Sequence, residues 1–177
     1  MHGVQSAGSL VLSDPCTLIF PTTMDYAPLL ADGFQEIGIW QLDQCFLEPF
    51  KESYRRLHLI RQLSRFLNEL QKLGIPLEVW IDGSFTTRKP EPKDVDIVVW
   101  VNLADAEALD SRRLLLFDQM LHIDNHERVK ILYDVDVNLA NVGNTKDHAY
   151  WLELFGSDRS KLNTKGIYTL SLAMRHV

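Results

Sequence analysis

Apolar residues recur along the chain with two different periods, which predict strands and helices in alternation. Two runs rich in Val, Ile and Trp, 79–82 and 95–101, are predicted to be buried strands. Alternation around two aspartates predicts a third strand over 129–138, and 166–172 is predicted to be the last strand. This order of elements predicts an α/β or α+β fold, with a small mixed central sheet flanked by helices.

Four helices are predicted before and between these strands. The most regular one covers 51–73 and ends before Gly74, a residue type typical of helix C-termini. The other helices are predicted over 40–50, 104–122 and 146–155.

Helical spacing also predicts which side chains face inward. In the longest helix the apolar stripe consists of Tyr54, Leu57, Ile60, Leu63, Leu67 and Leu70. Its basic residues lie mainly off this stripe and are interpreted as a solvent-exposed face: Arg55, Arg56, Arg61, Arg65 and Lys72. In the helix over 104–122, Asn102 is the expected N-cap, and the inward positions are Leu109, Leu116, Met120 and Ile123.

Length and composition are typical of one globular domain. The 177 residues are 46% hydrophobic, which is enough for one sizeable core. Residues 1–39 lack a clear period and are interpreted as an irregular arm with one short strand, and 40–177 as the folded domain.

Charge and cysteine content exclude several classes of function. A net charge of −6 argues against an extended, nonspecific grip on nucleic acid. No run of 18 apolar residues is present, so no association with a membrane is expected. The two cysteines, Cys16 and Cys45, form neither a disulfide framework nor a metal quartet, so the expected location is the cytoplasm.

The candidate chemistry lies between the two central strands. Gly83 and Ser84 end the first strand, and Asp94 and Asp96 begin the second. Residues i and i+2 of a strand share a face, so these two carboxylates are expected side by side, where they repel each other or bind a divalent cation. The glycine allows a sharp turn whose amides can hold anionic oxygens. Together these residues predict a site for a metal ion and a phosphate group.

This arrangement resembles the nucleotidyltransferase superfamily of DNA polymerase β, and in particular its minimal bacterial members. The matching segments are Asp82–Thr87, 89–96 and 158–167. The resemblance covers roughly 40–172. It implies transfer of a nucleoside monophosphate from a nucleoside triphosphate to an acceptor, with Mg²⁺ or Mn²⁺ as the cofactor.

The resemblance also implies roles for individual residues. Asp94, Asp96 and a third aspartate from a later strand would hold the metal ions and catalyse transfer. Asp136 is preferred as the third because apolar residues flank it, and Asp134 is the alternative. Gly83 and Ser84 would bind phosphates. The candidate counter-charges are Arg88, Lys89, Lys93, Arg159, Lys161 and Lys165, of which Lys165 is preferred.

Two other functions stay open. The chain has little room for an acceptor-binding domain, so a nucleotidyltransferase-like binding module is the main alternative, as a toxin–antitoxin or regulatory partner with an inactive site. Clustered aspartates also serve phosphohydrolases and nucleases. The acceptor itself could be a protein, an RNA end or a small molecule.

Overall fold

A computed structural model describes residues 26–157, 161 and 163–172. The five strands in this part of the chain are β1 (Phe34–Glu36), β2 (Leu77–Asp82), β3 (Val95–Val101), β4 (Val135–Asn141) and β5 (Ile167–Leu172). The helices are α1 (Leu42–Phe46), α2 (Tyr54–Gln71), α3 (Leu103–Glu107), α4 (Ser111–Leu121), α5 (His126–Tyr133) and α6 (Thr145–Phe155). Single 3₁₀ turns cover Ile39–Gln41, Gly83–Thr86 and Ile123–Asn125.

The strands form one mixed sheet in the order β1-β5-β2-β3-β4. The central strands β2 and β3 are antiparallel, as are β2 and β5, whereas β3 and β4 run parallel, as do β1 and β5. The predicted class, a mixed sheet flanked by helices, is confirmed.

Side-chain alternation gives the sheet two apolar faces. The larger face carries residues such as Val79, Ile97 and Val137, which pack with α2 in the main core. The opposite face carries Trp80 and Trp100, which form a smaller cluster. After Asp96, strand β3 is buried on both faces, which explains the continuous apolar run over 97–101.

The longest helix is shorter than predicted, and one of its arginines is not exposed. Ser53 accepts a hydrogen bond from the Arg56 amide as the N-cap, so the helix begins at Tyr54. Tyr54 was predicted to face inward but is 85% exposed. Arg56 was predicted to be on the solvent face but is fully buried.

Two further predictions are wrong in their boundaries. The helix over 104–122 is divided into α3 and α4, because Asp110 caps a second helix. Asn102 caps α3 as predicted, but Ile123 is 73% exposed rather than inward. The strand over 129–138 begins only at Val135, because α5 occupies the residues before it.

The described part of the N-terminal segment packs on the domain. Strand β1 extends the sheet through β5, and the amide of Gly166 donates to the carbonyl of Leu30. Ile37 is buried in the main core. Residues 1–25 lie outside the described part of the chain. None of the helices described is both long and apolar enough to cross a membrane.

Candidate active site

Three aspartates lie side by side across the neighbouring strands β2, β3 and β4. Asp82 is paired with Asp96, and Asp96 is paired with Asp136. Residues paired directly across strands project to the same face of a sheet. Asp94 immediately precedes β3, and its contact with Lys130, which also contacts Asp136, places it on that face too. The fold therefore places the three predicted metal ligands on one face of the sheet and adds Asp82 as a fourth carboxylate on it.

The face that carries these aspartates has an apolar end and an acidic end. Trp80, Trp100 and Phe155 form the smaller apolar cluster on it, where α6 packs. The side chains of Asp94 and Asp136 remain 25% and 24% exposed. These two carboxylates are therefore in contact with solvent.

Gly83 lies against the central aspartate of the row. Its φ of +75° belongs to the left-handed region that favours glycine. A Cβ atom at this position would lie 1.6 Å from Oδ2 of Asp96, so only glycine fits there. Ser84 follows in the same 3₁₀ turn and is partly exposed. The predicted glycine-led turn and the carboxylates are thus in direct contact.

Lys165 joins the last strand to this turn. Its Nζ lies 2.5 Å from Oδ1 of Asp82 and donates a hydrogen bond to the carbonyl of Gly83 at 3.2 Å. Both side chains are almost fully buried. Burial raises the pKa of Asp82 to about 6, because the loss of hydration outweighs the attraction of Lys165. The predicted phosphate-binding lysine therefore lies at the site, paired with an aspartate.

Two side chains from one face of α5 reach the other end of the row. Lys130 Nζ lies 2.9 Å from Asp94 Oδ2 and 2.5 Å from Asp136 Oδ2. His126, one turn earlier on the helix, lies 2.7 Å from Asp136 Oδ1 through its Nε2. These contacts hold Asp94 and Asp136 around an ammonium group.

The carboxylates of the row have opposite pKa shifts. Burial raises the pKa of Asp96 to about 6, and repulsion from Asp94 and Asp136 adds to this shift. For Asp136, burial also acts to raise the pKa, but hydrogen bonds from Lys130 and His126 outweigh it, so its pKa lies below the ordinary value. Asp136 is therefore ionised at neutral pH, whereas the neighbouring negative charges and burial oppose the ionisation of Asp96.

The raised pKa of Asp96 predicts a pH-dependent cost to stability. A folded-state pKa of about 6, against 3.8 for the free group, means that the folded protein loses stability as the pH rises through this window. Asn cannot ionise, so D96N should not show this loss. Its free energy of unfolding relative to that of the wild type should therefore rise by about 2 kcal/mol from pH 4 to pH 7.

Urea denaturation at both pH values, in buffer with EDTA, measures this difference. The exposed Asp118→Asn on α4 is the control and should show no such trend. A stability difference between D96N and the wild type that does not change with pH would contradict the prediction.

The site can be compared with what a divalent metal ion requires. Among the described residues, no three carboxylate, histidine or cysteine side chains converge closely enough to hold a metal ion. Lys130 lies between two of the candidate ligands. The donor chemistry nevertheless fits, because carboxylate oxygens are the ligands that Mg²⁺ prefers. A divalent ion would also relieve the repulsion that raises the pKa of Asp96.

Asp134, the alternative candidate for the third metal ligand, lies outside the row of carboxylates. It was predicted to share a strand face with Asp136, but it ends α5 with a φ of +52° and precedes β4. Its carboxylate is held by α2, through His58 at 2.8 Å and Arg55 at 3.4 Å. The geometry therefore favours Asp136 as the third member of the site.

The structure shows no contact between the other candidate counter-charges it describes and the carboxylates of the row. Arg88 and Lys93 are exposed, and Lys89 is partly exposed. Lys161 is paired with Glu153 of α6 at 2.9 Å. Arg159 lies outside the described residues.

The fold adds three residues that sequence reasoning did not assign to the site: Asp82, His126 and Lys130. Asp82 adjoins the Gly83 turn, so its position was a usable signal. His126 and Lys130 have helical spacing, but nothing in their spacing indicates that they face the third aspartate.

Comparison with known proteins gives a family and no function. No curated protein and no solved structure matches the chain. The model of a family of unknown function, DUF6932, matches residues 22–171, which contain every residue of the site. The chain therefore belongs to the family of unknown function DUF6932.

Proposed function

We propose that the protein is a Mg²⁺-dependent nucleotidyltransferase, which moves a nucleoside monophosphate from a nucleoside triphosphate to an acceptor. The observation that carries the proposal is the contact between the Gly83 turn and Asp96 in a row of carboxylates on adjacent strands. A turn suited to phosphate binding and a set of hard oxygen ligands then meet at one end of the sheet. The proposal includes a cytoplasmic location, where nucleoside triphosphates are available.

Each residue of the site has a role in this proposal. Asp94, Asp96 and Asp136 would hold Mg²⁺ or Mn²⁺, which when bound would neutralise charge on the triphosphate. The turn at Gly83 and Ser84 would bind the β- and γ-phosphates, and Lys165 would support the turn through the Gly83 carbonyl. Most of the catalysis would come from positioning and charge stabilisation.

The reaction itself is a displacement at the α-phosphorus. The acceptor hydroxyl oxygen bonds to that phosphorus, the bond to the bridging oxygen breaks, and pyrophosphate leaves. The hydroxyl proton would pass to Asp136, whose Oδ1 lies 2.7 Å from Nε2 of His126. The acceptor is a protein hydroxyl, an RNA end or a small molecule.

The test is transfer of label from α-labelled nucleoside triphosphates to protein, RNA and small-molecule acceptors. We expect D96N to lower the transfer rate at least about a hundredfold, because it removes the central charge of the row. The control D118N, on exposed α4, should transfer at the wild-type rate. Equal labelling by D96N and the wild type would reject the assignment.

The second candidate is a partner-binding module of the same fold, without catalysis. The observation that favours it is the pairing of Asp94 and Asp136 with Lys130, which satisfies both carboxylates without a metal ion. A thermal shift with millimolar Mg²⁺ and nucleotide distinguishes the two candidates. A shift together with transfer supports the enzyme, whereas the absence of both supports the binding module.

A further inference from the structure

We propose that Lys130 is an internal cation, which occupies the position between Asp94 and Asp136 and must leave it before a divalent ion can bind there. This inference rests on the proposed function, because it assumes that the aspartates hold such an ion. It adds that the protein itself regulates access to the metal position. The evidence comes from the contacts of α5 with the sheet.

The contacts of Lys130 are those of a bridging ion. Its Nζ lies within 3 Å of one oxygen from each carboxylate, 2.9 Å for Asp94 and 2.5 Å for Asp136. A divalent ion shared by two carboxylates would lie in the same place, since it uses the same lone pairs. Ammonium and metal ion therefore compete for this position.

The surroundings of Lys130 explain why it stays there. Asp96 lies beside Asp136 in the neighbouring strand and adds a third carboxylate. His126 occupies the other oxygen of Asp136 on the outer side. Lys165, the other lysine of the site, is committed to Asp82 and Gly83. Lys130 is thus the cation that balances the Asp94–Asp136 end of the row.

The Lys130 side chain can move away from the two carboxylates. Its side chain is 36% exposed, and a lysine has a long flexible stem whose charged end can move into water. Because α5 is anchored through buried Val129, the side chain can swing without movement of the helix. The metal position would then open by a change of rotamer.

The test is a titration of the nucleotide-free protein with Mn²⁺, in which free Mn²⁺ is followed by electron paramagnetic resonance. We expect Lys130→Met to bind Mn²⁺ at least about ten times more tightly than the wild type, because it keeps the apolar stem and removes the competing charge. The matched control is Lys72→Met, which removes an exposed lysine paired with Glu69 at the end of α2. Its affinity should equal that of the wild type.

A second measurement locates the ion. Bound Mn²⁺ broadens nearby proton resonances, so the His126 ring signals should broaden in K130M at low Mn²⁺ occupancy. In K130M/D136N both the broadening and the gain in affinity should disappear. Lys130→Gln provides the same comparison if K130M folds poorly, as judged by circular dichroism.

The outcomes separate this inference from the proposed function. K130M affinity equal to or weaker than that of the wild type overturns the inference, as does the absence of Mn²⁺ binding in both. A gain in affinity without broadening at His126 also overturns it. Tighter Mn²⁺ binding by K130M in a protein that transfers no nucleotide would support the inference and reject the transferase.

Discussion

Gly83→Ala is expected to reduce nucleotide transfer below detection and to lower the free energy of unfolding by about 3 kcal/mol. Two effects add at this position. An alanine at a φ of +75° is strained by about 1–2 kcal/mol. Its Cβ would also lie 1.6 Å from Asp96 Oδ2, so the carboxylate or the turn must move, and overpacking of this kind costs about 1–3 kcal/mol. Activity suffers because Asp96 is the centre of the carboxylate row.

The chain offers a matched control for the backbone strain. Gly33 has a φ of +78°, but a Cβ there would meet no atom within 4 Å. G33A should therefore lose only the strain energy and keep its activity. Urea denaturation and the labelled-transfer assay measure both quantities. If G83A is no less stable than G33A, the contact between the turn and Asp96 does not exist as described.

Arg56→Met is expected to lower the free energy of unfolding by about 4 kcal/mol. The buried guanidinium donates to four backbone carbonyls, those of Phe46, Phe85, Thr87 and Lys89. Each buried carbonyl that loses its partner costs about 1–3 kcal/mol, and partial relaxation reduces the sum. Methionine keeps much of the apolar stem but also loses the stacking of the guanidinium on the Phe50 ring, whose centroid lies 3.5 Å from Cζ.

Two further variants make this prediction specific. Arg61→Met on the exposed side of the same helix should change stability by less than about 0.5 kcal/mol. Arg56→Lys keeps the charge but cannot reach four carbonyls from one planar group, so it should lose most of the stability lost by R56M. Chemical denaturation of the three variants tests this order. Equal stability of R56M and R61M would show that the arginine is not a structural anchor.

The position of Arg56 connects stability to the site. Three of its four carbonyl partners lie in the segment between Gly83 and Asp94. Its neighbour Arg55 donates to the carbonyls of Pro92 and Lys93 in the same segment. The start of α2 therefore holds the spacer that separates the turn from the carboxylates. Loss of Arg56 should therefore lower the stability of the fold and also disturb the site.

Strand prediction worked best where one local pattern was sufficient. The run Val95–Val101 is apolar except for Asp96 and rich in β-branched residues, and the structure has the same strand. Asp94 and Asp96 were predicted to share a strand face; Asp94 lies just before β3, and its contact with Lys130 places it beside Asp136 on the face that carries Asp96. The 129–138 prediction was wrong because Val129 is buried on a helix, and a short apolar segment can fit either period.

The burial of Arg56 could not be predicted from the helical pattern of apolar residues. Its place off the apolar stripe indicated solvent, yet the segment after Gly83 folds over that side of α2 and buries it. No period along α2 records where a segment 30 residues away will pack. The same holds for Asp134, whose partners Arg55 and His58 come from another element.

By itself the sequence determined the glycine-led turn, the shared face of Asp94 and Asp96, and the mixed sheet with helices, because each depends on backbone preferences and on the period of apolar residues. Only the tertiary structure decided that Asp82 and Asp136 flank Asp96, and that Lys130 and Lys165 pair with the ends of this row. Strand order and register arise from packing between distant segments. Charges far apart in the chain meet only when that packing is complete.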